Sequence, residues 1–554
     1  MKLNGAQIVI RRLCAHGVDT VFGFPGAAVL PLYDELYKSA DRITHVLTAH
    51  EQGAAHAADG YARASGRTGV VIATSGPGAT NLVTGIANAY LDSVPLVAIT
   101  GNVAIPLLGK DSFQEVDISG IVQPIVKHSF VIRDITELEH TLDEAFRIAT
   151  SGRRGPVLVD IPKDIQQESC AYDDKPPEKE PPGKQLPADT VSRIARAVDA
   201  IKASKKPFIY AGGGVLAGGA EGELLALSRR LSAPVGFSMM GLTALPRDFD
   251  LNLGMCGMHG KYAASMIQGE CDLMLALGVR FSDRATGDVE AFRKGCVIIH
   301  ADIDQAEIGK NVSAHIDIHG DVKSVLTALL QELPTIRNDD WLSRIEALVR
   351  EDRKAAPGGF NPRGIIETVR RHQDDDTVVA TDVGQHQMWT MQFYKFGHPR
   401  TLLTSGGLGA MGYGMGAAIG GCLATNRGRT ILFTSDGSFG MNLNELATAV
   451  TQQLPLVVVI LNNGVLGMVR QWQGMFYAGR YAQTTLERTT DFAALAGAFG
   501  AEGYTVDNLP LLDEILGRLP EKKPVVIDCR IDKNEMVLPM IPPGGTVKDI
   551  LTRR

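Results

Sequence analysis

The chain has 554 residues, 45% of them hydrophobic and 21% charged, with 60 glycines against 18 Phe, 12 Tyr and 3 Trp. That composition excludes a disordered chain, which needs fewer apolar residues and more net charge. It fits a Gly-, Ala- and Val-rich α/β enzyme of about three or four domains. Lys+Arg 55 against Asp+Glu 62, a net charge of −7, is too balanced for a nucleic-acid or anionic-membrane binder.

From the N-terminus, Met1-Lys-Leu-Asn-Gly-Ala-Gln leads straight into a helical pattern without a signal-peptide or transit-peptide signature. No apolar run approaches the ~18–20 residues of a membrane span. The seven cysteines are scattered, the closest pair 15 positions apart, with no CxxC. Neither a zinc knot nor a disulfide framework is expected, and reduced thiols point to a cytoplasmic protein. Short β-branched runs predict strands at 18–23, 43–47, 69–75, 95–101 and 157–162, then at 207–212, 273–278 and 297–304, then at 377–384, 430–436, 455–463 and 524–530. Helix-length segments such as Gln52–Ala64 and Thr80–Tyr90 lie between them. The alternation reads as βαβ units in parallel, doubly covered sheets, whose ligands sit outside the carboxyl ends of the strands.

Two composition breaks divide the chain. Cys170–Pro187 holds five prolines and seven charges and reads as an exposed linker. Ala355-Ala-Pro-Gly-Gly follows a charged amphipathic helix starting near Asp339. The expected organisation is three doubly wound α/β domains, 1–168, 188–338 and 360–554, with a linker at 169–187 and a connecting helix and linker at 339–359.

Glycines and polar residues gather at the predicted strand ends. His50-Glu51-Gln52 starts an Ala-rich helix, where a lone Glu is ordinarily only a favourable partner for the helix dipole. Thr74-Ser-Gly-Pro-Gly-Ala-Thr-Asn81 is a Gly-rich strand-to-helix turn, and Gly212-Gly-Gly214 follows the strand at 207–212. Gly407-Leu-Gly-Ala-Met-Gly412 matches GxGxxG, but the Tyr-Gly-Met-Gly-Ala-Ala after it reads better as a close-packing small-residue helix than as a dinucleotide site. The most specific signal is Ser435-Asp-Gly-Ser438, with 24 residues between Gly437 and Asn462-Asn463. An Asp and an Asn at the ends of adjacent parallel strands can converge on one hard cation such as Mg²⁺. Gly437 lets backbone approach a phosphate, and the following helix N-terminus offers free N–H groups.

At these residues the sequence resembles the thiamine-diphosphate enzymes, whose signature is Gly-Asp-Gly followed about 25 residues on by Asn-Asn; here the leading Gly is Ser435. The resemblance implies metal ligation by Asp436, Asn463 and the carbonyl of Val465. It implies cofactor contacts from Pro25, Gly26, Asn81, Gln385, His386, Gly409, Gly437, Ser438, Gly467 and Met468, with Met411 propping the bent cofactor. Glu51 would hydrogen-bond N1′ of the aminopyrimidine. In these enzymes that Glu and the diphosphate site belong to different chains, which implies a homo-oligomer, a dimer at least.

The wider pattern is closer still. Phe22–Gly26, His50–Arg63, Thr74–Asn81, Phe113-Gln114-Glu115, Gly155–Lys163, Asp382–Trp389, Met468–Trp472 and Ile541-Pro-Pro-Gly544 together resemble acetohydroxyacid synthase catalytic (large) subunits, over essentially the whole chain. The resemblance implies that pyruvate is decarboxylated on thiamine diphosphate. Its two-carbon unit then joins a second pyruvate or 2-ketobutyrate, at the start of branched-chain amino-acid synthesis. Catalytic roles fall on Glu51, Phe113, Gln114 and Lys163, with Arg280 on the acceptor carboxylate and Trp472 on its alkyl end. A regulatory small subunit is a further expected partner.

In the middle block, Gly257-Met258-His259, Gly278-Val-Arg280 to Asp283-Arg284, and Asp302-Ile303 resemble the stretches that hold a structural FAD in the biosynthetic enzymes. Gly212, Gly213, Gly214, Arg153, Gly320 and Asp321 complete the set. Departures are Ser282 for Asp, Ala27 for Gly and Met415-Gly416 for Leu-Pro. The rival reading is a catabolic acetolactate synthase or another thiamine-diphosphate-dependent 2-ketoacid decarboxylase or oxidase. A silent nucleotide-binding subunit is opposed by the retention of Glu51, Asp436 and Asn463.

Overall fold

A computed structural model describes residues 1–177, 186, 188–354 and 358–552. Much of the proline-rich linker expected at 169–187, and residues 355–357 of the second break, lie outside the described residues.

Three six-stranded sheets, all parallel, carry the fold. The N-terminal sheet contains Thr20–Phe24, Thr44–Leu47, Gly69–Ala73, Leu96–Asn102, His128–Val131 and Pro156–Pro162. Counted along the chain, these lie side by side as second, first, third, fourth, sixth, fifth. The C-terminal sheet contains Val378–Thr381, Leu402–Leu403, Thr430–Thr434, Leu456–Asn462, Glu502–Val506 and Val525–Arg530. Its order is the same.

The central sheet differs. Its strands Pro207–Ala211, Val235–Phe237, Asn252–Met255, Leu273–Leu277, Val297–Asp302 and Ile316–His319 run third, second, first, fourth, fifth, sixth. Runs such as Val70–Ile72, Val97–Ile99 and Val457–Ile460 are buried on both faces, as strands covered by helices on each side must be. The chain does not enter a helix at once: Lys2–Asn4 pairs antiparallel with Ser169–Ala171, and Asn4 then caps the helix Gly5–Ala15.

The outer sheets are joined by two helices, Glu51–Ser65 and Tyr413–Ala424. A Cβ at Gly60 would fall 2.3 Å from the Ala417 carbonyl oxygen, and one at Gly420 only 2.0 Å from that of Ala57. The helices therefore touch backbone to backbone, and residues of both sheets share one apolar cluster. Helix Asp339–Lys354 packs Trp341, Ile345 and Leu348 into the core of the central sheet. No helix among the described residues is long and apolar enough to cross a membrane.

Candidate active site

In the C-terminal sheet the first and third strands are neighbours from which the chain departs in opposite directions, so a crevice opens at their carboxyl ends. Asp436 stands there in the first turn of the helix Asp436–Asn442. Ser435 is its N-cap, in extended backbone at φ −128°, and its hydroxyl accepts the Ser438 N–H at 3.4 Å. A serine at this position thus needs no left-handed backbone and supplies a capping oxygen. Asp436 is 7% exposed, and its Oδ1 is buried without a hydrogen-bond partner. Burial, helped by the nearby Asp528, raises its pKa to about 6 against the amides of Asp436, Gly437 and Asn463.

Asn463, past the fourth strand, donates from Nδ2 to Gln385 Oε1 (3.1 Å) and accepts the Val465 N–H at Oδ1 (3.4 Å). Gln385 donates in turn to Gln471 Oε1 (3.0 Å) and to the Glu535 carbonyl (2.8 Å). A Cβ at Gly467 would meet Gln385 Oε1 at 2.0 Å, so glycine is required beside this network. Ser438 Oγ donates to the Val383 carbonyl at 3.0 Å, and Met468 lies half-buried in the helix Gly467–Phe476. His386 is buried with Nε2 unpartnered, and desolvation lowers its pKa to about 3, so the ring is neutral.

No cluster of three or more His, Cys, Asp or Glu among the described residues could hold a metal. The open donor is the hard oxygen of Asp436, with the Asn463 amide beside it, a site that suits Mg²⁺ completed by phosphate oxygens rather than a softer ion. An orphaned carboxylate oxygen in a crevice fits such a cation.

The GxGxxG segment does sit between a strand, Leu402–Leu403, and a helix, Tyr413–Ala424. The amides of its first and last glycines, and of Gly406 just ahead, are nonetheless taken by carboxylates. Gly406 and Gly407 donate to Asp92 (2.9 and 2.7 Å), and Gly412 donates to Asp382 Oδ1 (2.7 Å). Gly409 is exposed at φ +69°, and Met411 is half-buried.

The N-terminal sheet repeats the crevice with different residues. Pro25 and Gly26 follow the first strand, and a Cβ at Gly26 would press on the Thr74 side chain at 2.5 Å. Glu51 opens the helix after the second strand, where His50 Nδ1 accepts the Gln52 N–H at 3.1 Å. The turn at Gly76 (φ +57°) brings Asn81 Nδ2 to Glu51 Oε2 at 2.9 Å. Gln114, at φ +58°, packs its backbone on Gly76, while Phe113 is 86% exposed. Lys163 begins the helix after the sixth strand and is half-buried.

In the central sheet the crevice lies between the first and fourth strands. Gly212 to Gly214 follow the first and Gly278 the fourth, so closely that a Cβ at Gly214 would lie 2.6 Å from Gly278 Cα. His259 is buried with Nδ1 unpartnered, and desolvation lowers its pKa to about 4. Asp302 closes the fifth strand, and its pKa is raised by burial to about 6. The Ile303 carbonyl contacts His319 Nε2 at 3.1 Å. Asp321, beside Gly320, caps the helix Val322–Glu332. Arg153 is drawn aside, donating to Ser93 Oγ (2.8 Å) and Glu307 (2.7 Å).

Between the central and C-terminal domains, Arg284 lies over the Trp472 ring at 5.2 Å and reaches Met258 Sδ at 3.9 Å. A cleft of about 380 Å³ beside Arg284 is lined by Met258, Asp283, Thr286, Phe292 and Ile541. Gly257, at φ +97°, sits against the Arg284 carbonyl. Arg280 points elsewhere: a Cβ at Gly407 would be 3.1 Å from its Nη2.

Comparison with known proteins gives these strand ends a family. Models of thiamine pyrophosphate enzymes match residues 3–121 (N-terminal TPP binding domain), 194–329 (central domain) and 382–529 (C-terminal TPP binding domain). The chain is 45% identical to an acetolactate synthase of Mycobacterium bovis, covering all of this chain and 92% of that protein. It is 43% identical to the acetolactate synthase isozyme 2 large subunit of Escherichia coli, each chain covered fully. It is also 43% identical to the acetolactate synthase large subunit of Corynebacterium glutamicum, covering 99% of this chain and 90% of the relative. The chain belongs to the acetolactate synthase large-subunit family.

Three polar residues of this acetolactate synthase family chain are not among the candidate site residues of the sequence, although each supports a strand end. Asp382 accepts from Gly412 and from Thr434 Oγ1 (3.2 Å). Gln471 exchanges bonds with Val537, accepting its N–H at 2.8 Å and donating to its carbonyl at 3.1 Å. Glu445 accepts the Ala49 and His50 amides (3.2 and 3.0 Å), just ahead of Glu51. Asp382 and Gln471 fall inside the family-like segments 382–389 and 468–472, which was the one available hint; their partners are distant in sequence.

Proposed function

We propose that the chain is a catalytic large subunit that decarboxylates pyruvate and joins the two-carbon unit to a second 2-ketoacid. The products are 2-acetolactate from pyruvate and 2-aceto-2-hydroxybutyrate from 2-ketobutyrate. The observation that carries this reading is the complementary pair of strand-end sites within a family chain. One holds Glu51 oriented by Asn81, and the other holds Asp436 with an open oxygen beside Asn463.

Thiamine diphosphate, when bound, supplies the carbanion-stabilising chemistry. Asp436, Asn463 and the Val465 carbonyl would hold Mg²⁺. The helix N-terminus at Gly437 and Ser438, whose N–H would leave the long bond to Ser435 Oγ, together with neutral His386, would receive the diphosphate. Glu51, with Oε2 fixed by Asn81, would hold the hydrogen bond at pyrimidine N1′. Met411 and Met468 would offer apolar support, and Phe113, Gln114 and Lys163 would serve as catalytic residues. For the acceptor, Trp472 would pack the alkyl end and Arg280 would hold the carboxylate. Because Arg284 is the guanidinium resting on Trp472, a second reading gives the carboxylate to Arg284. Competition between 2-ketobutyrate and pyruvate in Arg280→Lys and Arg284→Lys decides between them.

FAD, in a structural role, would occupy the crevice between the first and fourth central strands, where Gly212, Gly214 and Gly278 admit close backbone approach and His259 keeps an unpartnered nitrogen. Exposed apolar residues around both outer crevices support a homo-oligomer with sites between chains: Phe113, Met441 (57% exposed) and Val469 (51%). The large-subunit names of two relatives raise a regulatory small subunit as a further partner. The test is the visible spectrum of the purified protein with an acetolactate assay on pyruvate, thiamine diphosphate and Mg²⁺. Yellow, active protein supports the biosynthetic reading, activity without flavin the catabolic one, and no activity overturns the proposal.

A further inference from the structure

In the loop Thr404–Gly412 of the C-terminal domain, Thr404 and the Ser405 carbonyl bond to Thr381 and Gln387 of that domain, but the Gly406 and Gly407 amides and the Ser405 hydroxyl bond to the N-terminal domain. Asp92, which ends the helix Val83–Leu91, accepts the Gly406 amide at Oδ2 (2.9 Å) and the Gly407 amide at Oδ1 (2.7 Å). Ser405 Oγ donates to Asn88 Oδ1 (2.6 Å), one turn earlier on the same helix, and accepts the Ala410 amide (2.9 Å). Asp92 is held in turn by Arg63 Nη2 at 2.9 Å. The Asp92 side chain is wholly buried and that of Arg63 is 9% exposed. The same guanidinium is shared with buried Asp59, which also accepts from Tyr413 Oη (2.7 Å) and Asn88 Nδ2 (3.2 Å).

Two carboxylates thus draw on one cation. Asp59 fills its remaining capacity from side chains, but among the described residues Asp92 fills its own from the loop's amides. A buried carboxylate stripped of such donors is strongly disfavoured, so the position of Asp92 dictates where Gly406 and Gly407 lie. Past that anchor, Leu408 and Gly409 are exposed and Met411 half-buried, until Asp382 and Asn442 grip Gly412.

We infer that Asp92, aligned by Arg63, is a positioning residue that sets the Leu408–Met411 segment at the crevice of the C-terminal sheet from the N-terminal domain. Its consequence for the cofactor rests on the reading of Met411 given under Proposed function. Asp59 and Arg63 lie on the helix that Glu51 begins, about 12 and 18 Å along it at 1.5 Å per residue. One rigid helix therefore carries Glu51 at its head and the alignment of the Met411 loop near its tail.

Asp92→Asn tests this with little change of shape, since it replaces one accepting oxygen by a group that cannot accept. In cofactor-free protein, hydrogen exchange across residues 404–412 should quicken roughly tenfold or more. The affinity for thiamine diphosphate with Mg²⁺, measured by calorimetry, should weaken by a similar factor. Tyr413→Phe removes a bond from the same buried network without touching a loop amide, so it should shift thermal stability while both readouts stay within about twofold of wild type. Unchanged exchange in Asp92→Asn would overturn the inference. So would equal quickening in Tyr413→Phe, which would reduce Asp92 to general packing. If exchange quickens as expected but the wild-type protein binds no thiamine diphosphate, the clamp stands and the cofactor reading falls.

Discussion

The two outer sheets of this chain share one strand order and one crevice, but they differ in what stands at the strand ends. In the N-terminal sheet the carboxylate, Glu51, is tied down by Asn81. In the C-terminal sheet the carboxylate, Asp436, keeps a buried oxygen unpartnered while its neighbours Asn463 and Gln385 bond to each other. Topology places a crevice, and local polar satisfaction decides what the crevice can take. A carboxylate held by a neighbour is fixed in orientation, whereas a buried one with an open oxygen has capacity for a further partner. The central sheet, with a different order, moves its crevice to the Gly212–Gly278 contact.

The sharpest way to break the comparison is to exchange carboxylate for neutral group in each sheet. Asp436→Ala should reduce Mg²⁺-dependent thiamine diphosphate affinity by more than about a hundredfold and activity with it, read by calorimetry. Affinity equal to wild type would remove the metal role from this sheet. Glu51→Gln should leave binding intact and lower turnover roughly 10²–10⁴-fold. Hydrogen–deuterium exchange at C2 of the bound cofactor equal to wild type would sink that role.

Acid should separate the sheets by stability. Burial lowers the pKa of His45 and His56 in the N-terminal domain, and of His386 in the C-terminal one, to about 4, 4 and 3. Each is neutral when folded and takes up a proton on unfolding below its unfolded value of 6.5. The contribution of these histidines is therefore complete above about pH 6.5 and falls as pH drops toward 4, by up to about 1.4 kcal/mol per pH unit for each group, while the buried carboxyls of Asp160, Asp302, Asp382 and Asp436, raised to about 7, 6, 6 and 6, act in the opposite sense. His56→Leu should remove about one proton from the slope of unfolding free energy against pH between 6 and 4; an unchanged slope would assign the acid loss elsewhere.

The joint between the sheets is the next target. Gly420→Ala puts a methyl 2.0 Å from the Ala57 carbonyl oxygen. It should destabilise the protein by roughly 1–3 kcal/mol, seen as a lower denaturant midpoint. A neutral result would mean that the helices can slide apart. Smallest of all, Ser435→Gly removes a capping oxygen at a cost of only a few tenths of a kcal/mol. It should leave cofactor affinity at or slightly above wild type; a large loss would reveal a specific contact by the serine.

Sequence alone determined a good deal here. Fully buried parallel strands such as Gly69–Ala73 and Leu456–Asn462 announce themselves as unbroken β-branched runs, because both faces must be apolar. The Asp-Gly to Asn-Asn spacing was legible because a short helical segment in two pieces, Asp436–Asn442 and Leu446–Thr451, and one strand separate two neighbouring strand ends. Several strands were not legible. Leu402–Leu403, His128–Val131 and Glu502–Val506 are short or mixed in polarity, and Val235–Phe237, though buried, is only three residues around a glycine. Their pairing comes from the sheet they join.

Tertiary structure alone decided the rest. The backbone contact of Gly60 and Gly420 with the opposite helix joins residues some 360 positions apart in one chain, and no local pattern encodes such a contact. Asp92, Asp382, Glu445 and Gln471 read as ordinary polar residues until folding buries them against amides they must satisfy. It likewise took the packing of the central domain on the helix Gly467–Phe476 to put Arg284, and not Arg280, on the Trp472 ring. Strand interiors obey a local rule of burial, so they can be read from the chain. Polar groups at strand ends obey a rule of mutual satisfaction, and their partners exist only once the sheets are brought together.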